Sequence, residues 1–156
     1  MRPWQAALAA ALVMQVQVNL LAVWPLAGGA PHLIAFGVVP FALLADLRAG
    51  LIWIIVGAGL LDLLLPVRFG VTLVPLLVVY GVIRLLARHV VNTPTWWSVA
   101  GLAVLAVGGT ELLLAITTGN WRQYGRDLFA ALILALPLGF LVGQTVTTRH
   151  SGLRIR

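Results

Sequence analysis

Cysteine and lysine are absent from this chain of 156 residues, and only four residues are acidic. Without cysteine, the chain has no disulfide and no thiolate metal ligand. Charged residues make up 9% of the sequence and hydrophobic residues 62%, whereas a soluble domain carries about 25% charged residues. Because so few charges do not cover a water-facing surface, the composition predicts a single domain whose solvent is the lipid bilayer.

Motifs of catalysis are also missing from the sequence. There is no glycine-rich phosphate loop, and the three histidines, His32, His89 and His150, are far apart. The only serines, Ser98 and Ser151, do not lie in a nucleophile-elbow pattern. We therefore predict a protein that is not an enzyme and that needs no metal or other cofactor. The net charge of +6 comes from arginines scattered between apolar runs, which argues against binding to nucleic acid.

Charges, glycines and prolines divide the chain into six apolar stretches, and a spanning helix needs ~20 mostly apolar residues. The predicted helices cover 4–26, 31–45, 49–65, 70–87, 96–118 and 127–147. The sequence LLADLRAGLIW, between the second and third, is either a cytoplasmic turn or a short re-entrant region. We predict an all-α fold, a six-helix transmembrane bundle.

The first apolar stretch also resembles a signal peptide, with AGGA at 27–30 as a cleavage site. Gln15, Gln17 and Asn19 lie inside it, and it is long enough to span a membrane. These features favour a retained helix. With six spans, the arginines on the side away from the termini are Arg68, Arg122 and Arg126, and the other seven share the side of the termini. Since arginine-rich loops stay in the cytoplasm, both termini are predicted to be cytoplasmic.

Glu111 is predicted to lie deep in the fifth span, about eight residues or ~12 Å of helix rise from Gly119. An ionised carboxylate there costs at least ~2.5 kcal/mol, so we expect it to be protonated, paired or facing a polar cavity. It belongs to a stripe of small and polar residues at which helices approach closely. The stripe consists of Gly101, Val104, Gly108, Glu111, Ala115 and Thr118. Glu111 is either a substrate or proton site or an interhelical hydrogen-bonding residue, and the lack of a second acid on a matching relay favours the latter.

Asp62 is predicted to lie near the outer end of the third span, before a break at PVRFG. Pro66 ends the helix and Gly70 lets the backbone turn, so the third and fourth spans are expected to form an antiparallel hairpin. The carboxylate is expected either to meet Arg68, whose stem can snorkel, or to bond the backbone of the turn. A proton-carrying Asp62 is the weaker alternative.

Tyr80, Arg84 and Arg88 recur at every fourth residue, so they share one helix face at the cytoplasmic interface. This pattern predicts either an aromatic and arginine interface anchor or a docking surface for a cytoplasmic partner.

Small residues and prolines predict how the helices pack and bend. Gly139 and Gly143 form a GxxxG pattern in the sixth span, and Gly101 and Gly108 are small positions of the fifth; such positions let helices approach closely. Three prolines are predicted to kink or break the second, fourth and sixth spans: Pro40, Pro75 and Pro137.

The segment GAGLLDLLLPVRFGVTLVPLLVVYG, residues 57–81, resembles the MreD family of bacterial rod-shape-determining membrane proteins. Asp62, Leu63 and Gly70 match a family helix whose Asp-Leu pair runs into a short glycine turn. Tyr80 matches an aromatic residue that often follows. The resemblance extends over nearly the whole chain in length and helix layout. The chain departs from the family at the start of the second helix, where it has Pro-His in place of Pro-Asp.

This resemblance implies a non-catalytic scaffold of the cell-elongation machinery in the bacterial cytoplasmic membrane. Members of the family bind the bitopic protein MreC. With MreB filaments, RodA and its transpeptidase partner, they help localise peptidoglycan synthesis. Their fold is similar to that of the substrate-binding subunits of energy-coupling-factor transporters. Such a transporter subunit is therefore the alternative function, with GNWRQYGR at 119–126 as its lid, and a small multidrug or ion exporter centred on Glu111 is a third.

Overall fold

The computed structural model describes residues 3–21, 33–44, 46–64, 70–89 and 95–152, which form six helices and no strand. The predicted all-α class is confirmed. The helices are α1 (Pro3–Val16, continued by a π-helical segment at Gln17–Leu21), α2 (Leu33–Leu44), α3 (Leu47–Leu64), α4 (Leu73–His89), α5 (Trp96–Thr118) and α6 (Trp121–Gly152).

The central helix of the bundle is α2, which contacts α1, α3, α4, α5 and α6. A helix that is apolar on all sides is typical of a protein core or a membrane span, and this 12-residue helix carries no charged or amide side chain. Its buried residues include Ile34, Ala35, Val38 and Val39. Pro40 lies inside α2, whereas Pro75 is the third residue of α4. A proline in the first turn of a helix removes no intrahelical hydrogen bond, so Pro75 fits the first turn of α4 and does not interrupt the helix.

Trp53 of α3 fixes the contact between α3 and α2. Its indole Nε1 donates a hydrogen bond to the carbonyl oxygen of Ile34 at 3.0 Å. The ring stacks on Phe41 with the two centroids 4.8 Å apart. Gly37 lies between Ile34 and Phe41 along α2, and a Cβ there would overlap the indole ring of Trp53. The absence of a side chain at Gly37 therefore lets the tryptophan ring reach the backbone of α2.

A very short turn joins α5 to α6. Gly119 ends α5 in the left-handed region at φ 74°, and its N–H bonds the carbonyl oxygen of Ala115. Glycine adopts this conformation without steric cost. Only Gly119 and Asn120 separate the helices, so α6 begins at Trp121 and not at 127 as predicted. The polar residues that indicated a loop lie instead in the first turns of α6.

Large apolar side chains are exposed on α1, α3, α4, α5 and α6. On α1 they form a stripe at every fourth residue: Trp4, Leu8, Leu12 and Val16, which are 46–60% exposed. On α4, Val74, Val78 and Val82 repeat this pattern. Among the described helices, α3 with 18 residues and α5 with 23 are long and apolar enough to cross a membrane.

Candidate functional site

Asp62 links the end of α3 to the start of α4. The side chain is 4% exposed. Its Oδ2 accepts hydrogen bonds from the backbone N–H of Gly70 at 2.8 Å and of Leu73 at 3.2 Å, and its Oδ1 accepts one from Thr72 at 3.0 Å. The first N–H groups of a helix have no intrahelical acceptor, so a carboxylate from the neighbouring helix caps α4.

Of the two partners proposed for Asp62, the structure shows the backbone of the turn. Gly70 occupies the left-handed region at φ 94°, which allows its N–H to point back at the carboxylate of α3. An anion at a helix N-terminus is also stabilised by the helix dipole. Arg68 lies outside the described residues, so its predicted meeting with Asp62 stays a prediction.

Tyr80 of α4 is buried, at 2% exposed. The phenol lies against Gly50 of α3, where a Cβ would overlap its hydroxyl. Arg84 Nη1 donates a hydrogen bond to the Tyr80 hydroxyl at 2.8 Å, and the guanidinium carbon lies 5.9 Å from the ring centroid. Tyr80 is therefore not a surface aromatic; it positions Arg84, which is half-buried, while Arg88 one turn further is exposed.

A groove of about 350 Å³ runs between the first turns of α3 and the part of α4 from Leu77 to His89. Its apolar walls include Leu47, Leu51, Leu77 and Leu85. Arginine and histidine side chains line it as well: Arg84, Arg88 and His89. We call this feature the α3–α4 groove. The predicted docking residues Arg84 and Arg88 therefore belong to one concave surface that is apolar along its length and basic at the end of α4.

Glu111 of α5 and Asp127 of α6 are both buried, each 4% exposed. The two carboxyl groups lie close enough to interact electrostatically. Gly108, one turn before Glu111, lies at the same helix contact, because a Cβ there would be 3.2 Å from Leu128 Cδ1. Two acids at one helix contact are chemically able to receive a cation or a hydrogen-bond donor.

Asp127 was not predicted as a partner of Glu111. The sequence pattern predicts one acid deep in a span and places Asp127 at the outer end of the sixth helix. Because α6 begins at Trp121, Asp127 lies nearly two turns inside the helix. Counting back along two antiparallel helices from the Gly119 turn would have brought it opposite Glu111.

The glycines predicted to mediate helix packing differ in their surroundings. Gly108 contacts α6 as described above. Gly101 is exposed, and a Cβ there would meet no atom within 4 Å. Gly139 and Gly143 lie on α6, in a part of that helix whose side-chain surroundings are not described. Gly37 and Gly50, which lie against the side chains of Trp53 and Tyr80, were not predicted because neither belongs to a GxxxG pattern.

No group of three histidine, aspartate or glutamate side chains within the described ranges is arranged to hold a metal ion. Asp46 is exposed at the start of α3, far along that helix from Asp62 at its other end. The capping carboxylate and the basic groove lie at opposite ends of the α3–α4 contact, and the buried acid pair lies between α5 and α6. Comparison with protein-family models, with curated proteins and with solved structures found no match.

Proposed function

We propose that this chain is a multi-pass protein of the bacterial cytoplasmic membrane in which all six helices span the bilayer. The apolar side chains exposed on five helices around a buried central helix support this placement. Monomeric soluble proteins rarely expose apolar patches larger than a few hundred Å², whereas lipid tails are a favourable surrounding for such side chains. The arginine distribution supports cytoplasmic termini.

Within that membrane we propose a non-catalytic scaffold of the cell-elongation machinery, of the MreD type. The observation that carries this proposal is the α3–α4 hairpin. It is formed by the segment that resembles MreD, and Asp62 of that segment ties the hairpin through three backbone N–H groups. A carboxylate used in this way is a structural element. Asp62, which belongs to the most specific part of the resemblance, thus helps to shape a helix pair whose faces are able to bind a partner.

The expected partner is a bitopic MreC-like protein, acting together with MreB filaments, RodA and its transpeptidase. The test is to tag the full chain in its own bacterium, purify it in mild detergent and identify co-purifying proteins. Co-purification of the MreC-like protein, together with rounding of the cells on depletion, is the expected result. A depleted strain that keeps its rod shape, with no such protein in the purified sample, would contradict the proposal.

The second candidate is a transport subunit, and the buried pair of Glu111 and Asp127 is the observation in its favour. Membrane acids that face each other across a helix contact are a frequent feature of substrate and ion pathways. Against it, residues 121–126 of the proposed lid are helical, so the lid would be a rigid helix end. Mass spectrometry of the gently purified protein separates the two functions, because a transport subunit is expected to retain a small-molecule ligand that Glu111→Gln or Asp127→Asn would release.

A further inference from the structure

We propose that the α3–α4 groove binds one anionic phospholipid, with an acyl chain along its leucines and the phosphate at its arginines. The inference goes beyond a scaffold function but depends on the proposed membrane placement. The groove has a volume of about 350 Å³, which lies within the range of ~300–1,000 Å³ that is usual for ligand sites.

The apolar part of the groove has the form that an acyl chain needs. Leu77 and Leu85 stand eight residues apart on α4, which is ~12 Å of helix rise. Gly81 lies between them, is exposed, and has no atom within 4 Å of the position where a Cβ would be. The missing side chain leaves an open channel between two leucines, and Leu47 and Leu51 form the opposite wall on α3.

The basic part of the groove has the charge that a phosphate needs. Arg84 is held in place by its hydrogen bond to the buried Tyr80 hydroxyl, at 2.8 Å. Arg88 is exposed one turn further, and His89 ends the helix. Asp46 directly precedes Leu47 of the groove and is exposed, and Arg48 follows it two residues later. Positive charge therefore predominates.

Position in the membrane selects a lipid as the source of the phosphate. In the proposed orientation this end of α4 reaches the cytoplasmic leaflet, whose anionic lipids attract basic residues next to the hydrocarbon region. Basic pockets between membrane helices on that side bind lipid head groups. A free phosphate would use the arginines alone and would leave the leucine channel without a role. A protein segment is the alternative occupant of the groove, and it would need acidic side chains to pair with the arginines.

The test uses the purified full chain and native mass spectrometry with dioleoyl phosphatidylglycerol, with dioleoyl phosphatidylcholine, and with glycerol 3-phosphate alone. We expect phosphatidylglycerol to be preferred over phosphatidylcholine. Arg88→Gln should reduce that preference about 5-fold, and adding Arg84→Gln should reduce it further by a similar factor. Arg88→Lys should largely retain it. Equal occupancy by the two lipids, or a preference that Arg88→Gln leaves unchanged, would overturn the proposal.

A second pair of variants tests the channel separately from the charges. Gly81→Leu fills the channel and should lower occupancy by both lipids, while Gly101→Leu, at an exposed glycine of α5, should not. If Gly81→Leu has no effect, or glycerol 3-phosphate binds as well as the lipid, the channel does not bind an acyl chain. If the arginine variants lose a co-purifying protein but keep the lipid preference, the groove is a protein-docking surface instead. The MreC-like partner is also looked for in the purified Gly81→Leu protein. If the partner is still present when the lipid is lost, the lipid site has failed and the scaffold function has not.

Discussion

Removing the carboxylate of Asp62 is expected to destabilise the α3–α4 hairpin more than removal of any exposed acid. In Asp62→Ala, the N–H groups of Gly70, Thr72 and Leu73 lose their acceptor. A hydrogen bond to a charged group contributes about 1.5–3 kcal/mol, but these three bonds are not additive. Thr72 is buried, whereas Gly70 and Leu73 are half-buried and regain water.

We therefore expect a loss of about 3 kcal/mol in the free energy of unfolding for Asp62→Ala. Asp62→Asn keeps one acceptor oxygen but brings an NH2 group towards the N–H donors and removes the charge from the helix N-terminus. Its expected cost is about 1–2 kcal/mol. Both values exceed the change of about 0.5 kcal/mol that is usual for surface substitutions.

The assay is reversible unfolding of the full chain in mixed micelles, with steric trapping as an independent measure. Asp46→Asn is the matched control, because Asp46 stands at the other end of α3 and is exposed. Far-ultraviolet circular dichroism checks that each variant starts from the same helix content. If Asp62→Ala unfolds within about 0.5 kcal/mol of the unaltered protein, the three bonds do not hold the hairpin and the structural role assigned to the carboxylate is refuted.

Further substitutions test two helix contacts by the same unfolding assay and the role of Glu111 by partner binding. Gly50→Ala should cost about 1–3 kcal/mol because the new methyl group overlaps the Tyr80 hydroxyl, while Gly101→Ala should be neutral or stabilise by up to about 1 kcal/mol; equal effects would contradict this. Trp53→Phe should cost about 1–2 kcal/mol through loss of the bond to the α2 backbone, and no loss would show that bond to be dispensable. Glu111→Gln should leave scaffold partner binding unchanged, and a lost partner would make its charge part of the function.

The overall fold class could be predicted from composition and hydrophobic run length, because both depend on the solvent around the protein and not on detailed packing. The start of α6 could not, since the residues from Trp121 to Arg126 are polar enough to indicate a loop. A helix that begins at the membrane surface also carries polar residues in its first turns, as a loop does. Composition alone does not separate these two cases, whereas the left-handed Gly119 does, because it reverses the chain at once.

The capping role of Asp62 was one of two alternatives that the sequence left open, since spacing alone brings both Arg68 and the turn backbone within reach. The surroundings of Tyr80 were harder to predict. Its spacing with Arg84 and Arg88 correctly places them on one helix face, but a shared face does not reveal which of its members the neighbouring helix covers. Tyr80 is covered because Gly50 of α3 leaves room for its ring, and this tertiary contact has no local sequence pattern.

The two kinds of buried acid in this chain differ in what their surroundings can supply. Asp62 lies beside a helix start, where unbonded N–H groups satisfy a carboxylate and need one in return. Glu111 and Asp127 lie inside helices, where the backbone N–H groups are already used by their own helix, and the two carboxyl groups interact electrostatically with each other. An anion among N–H donors needs no ligand to be stable, whereas two acids at one contact gain from a cation or a donor between them.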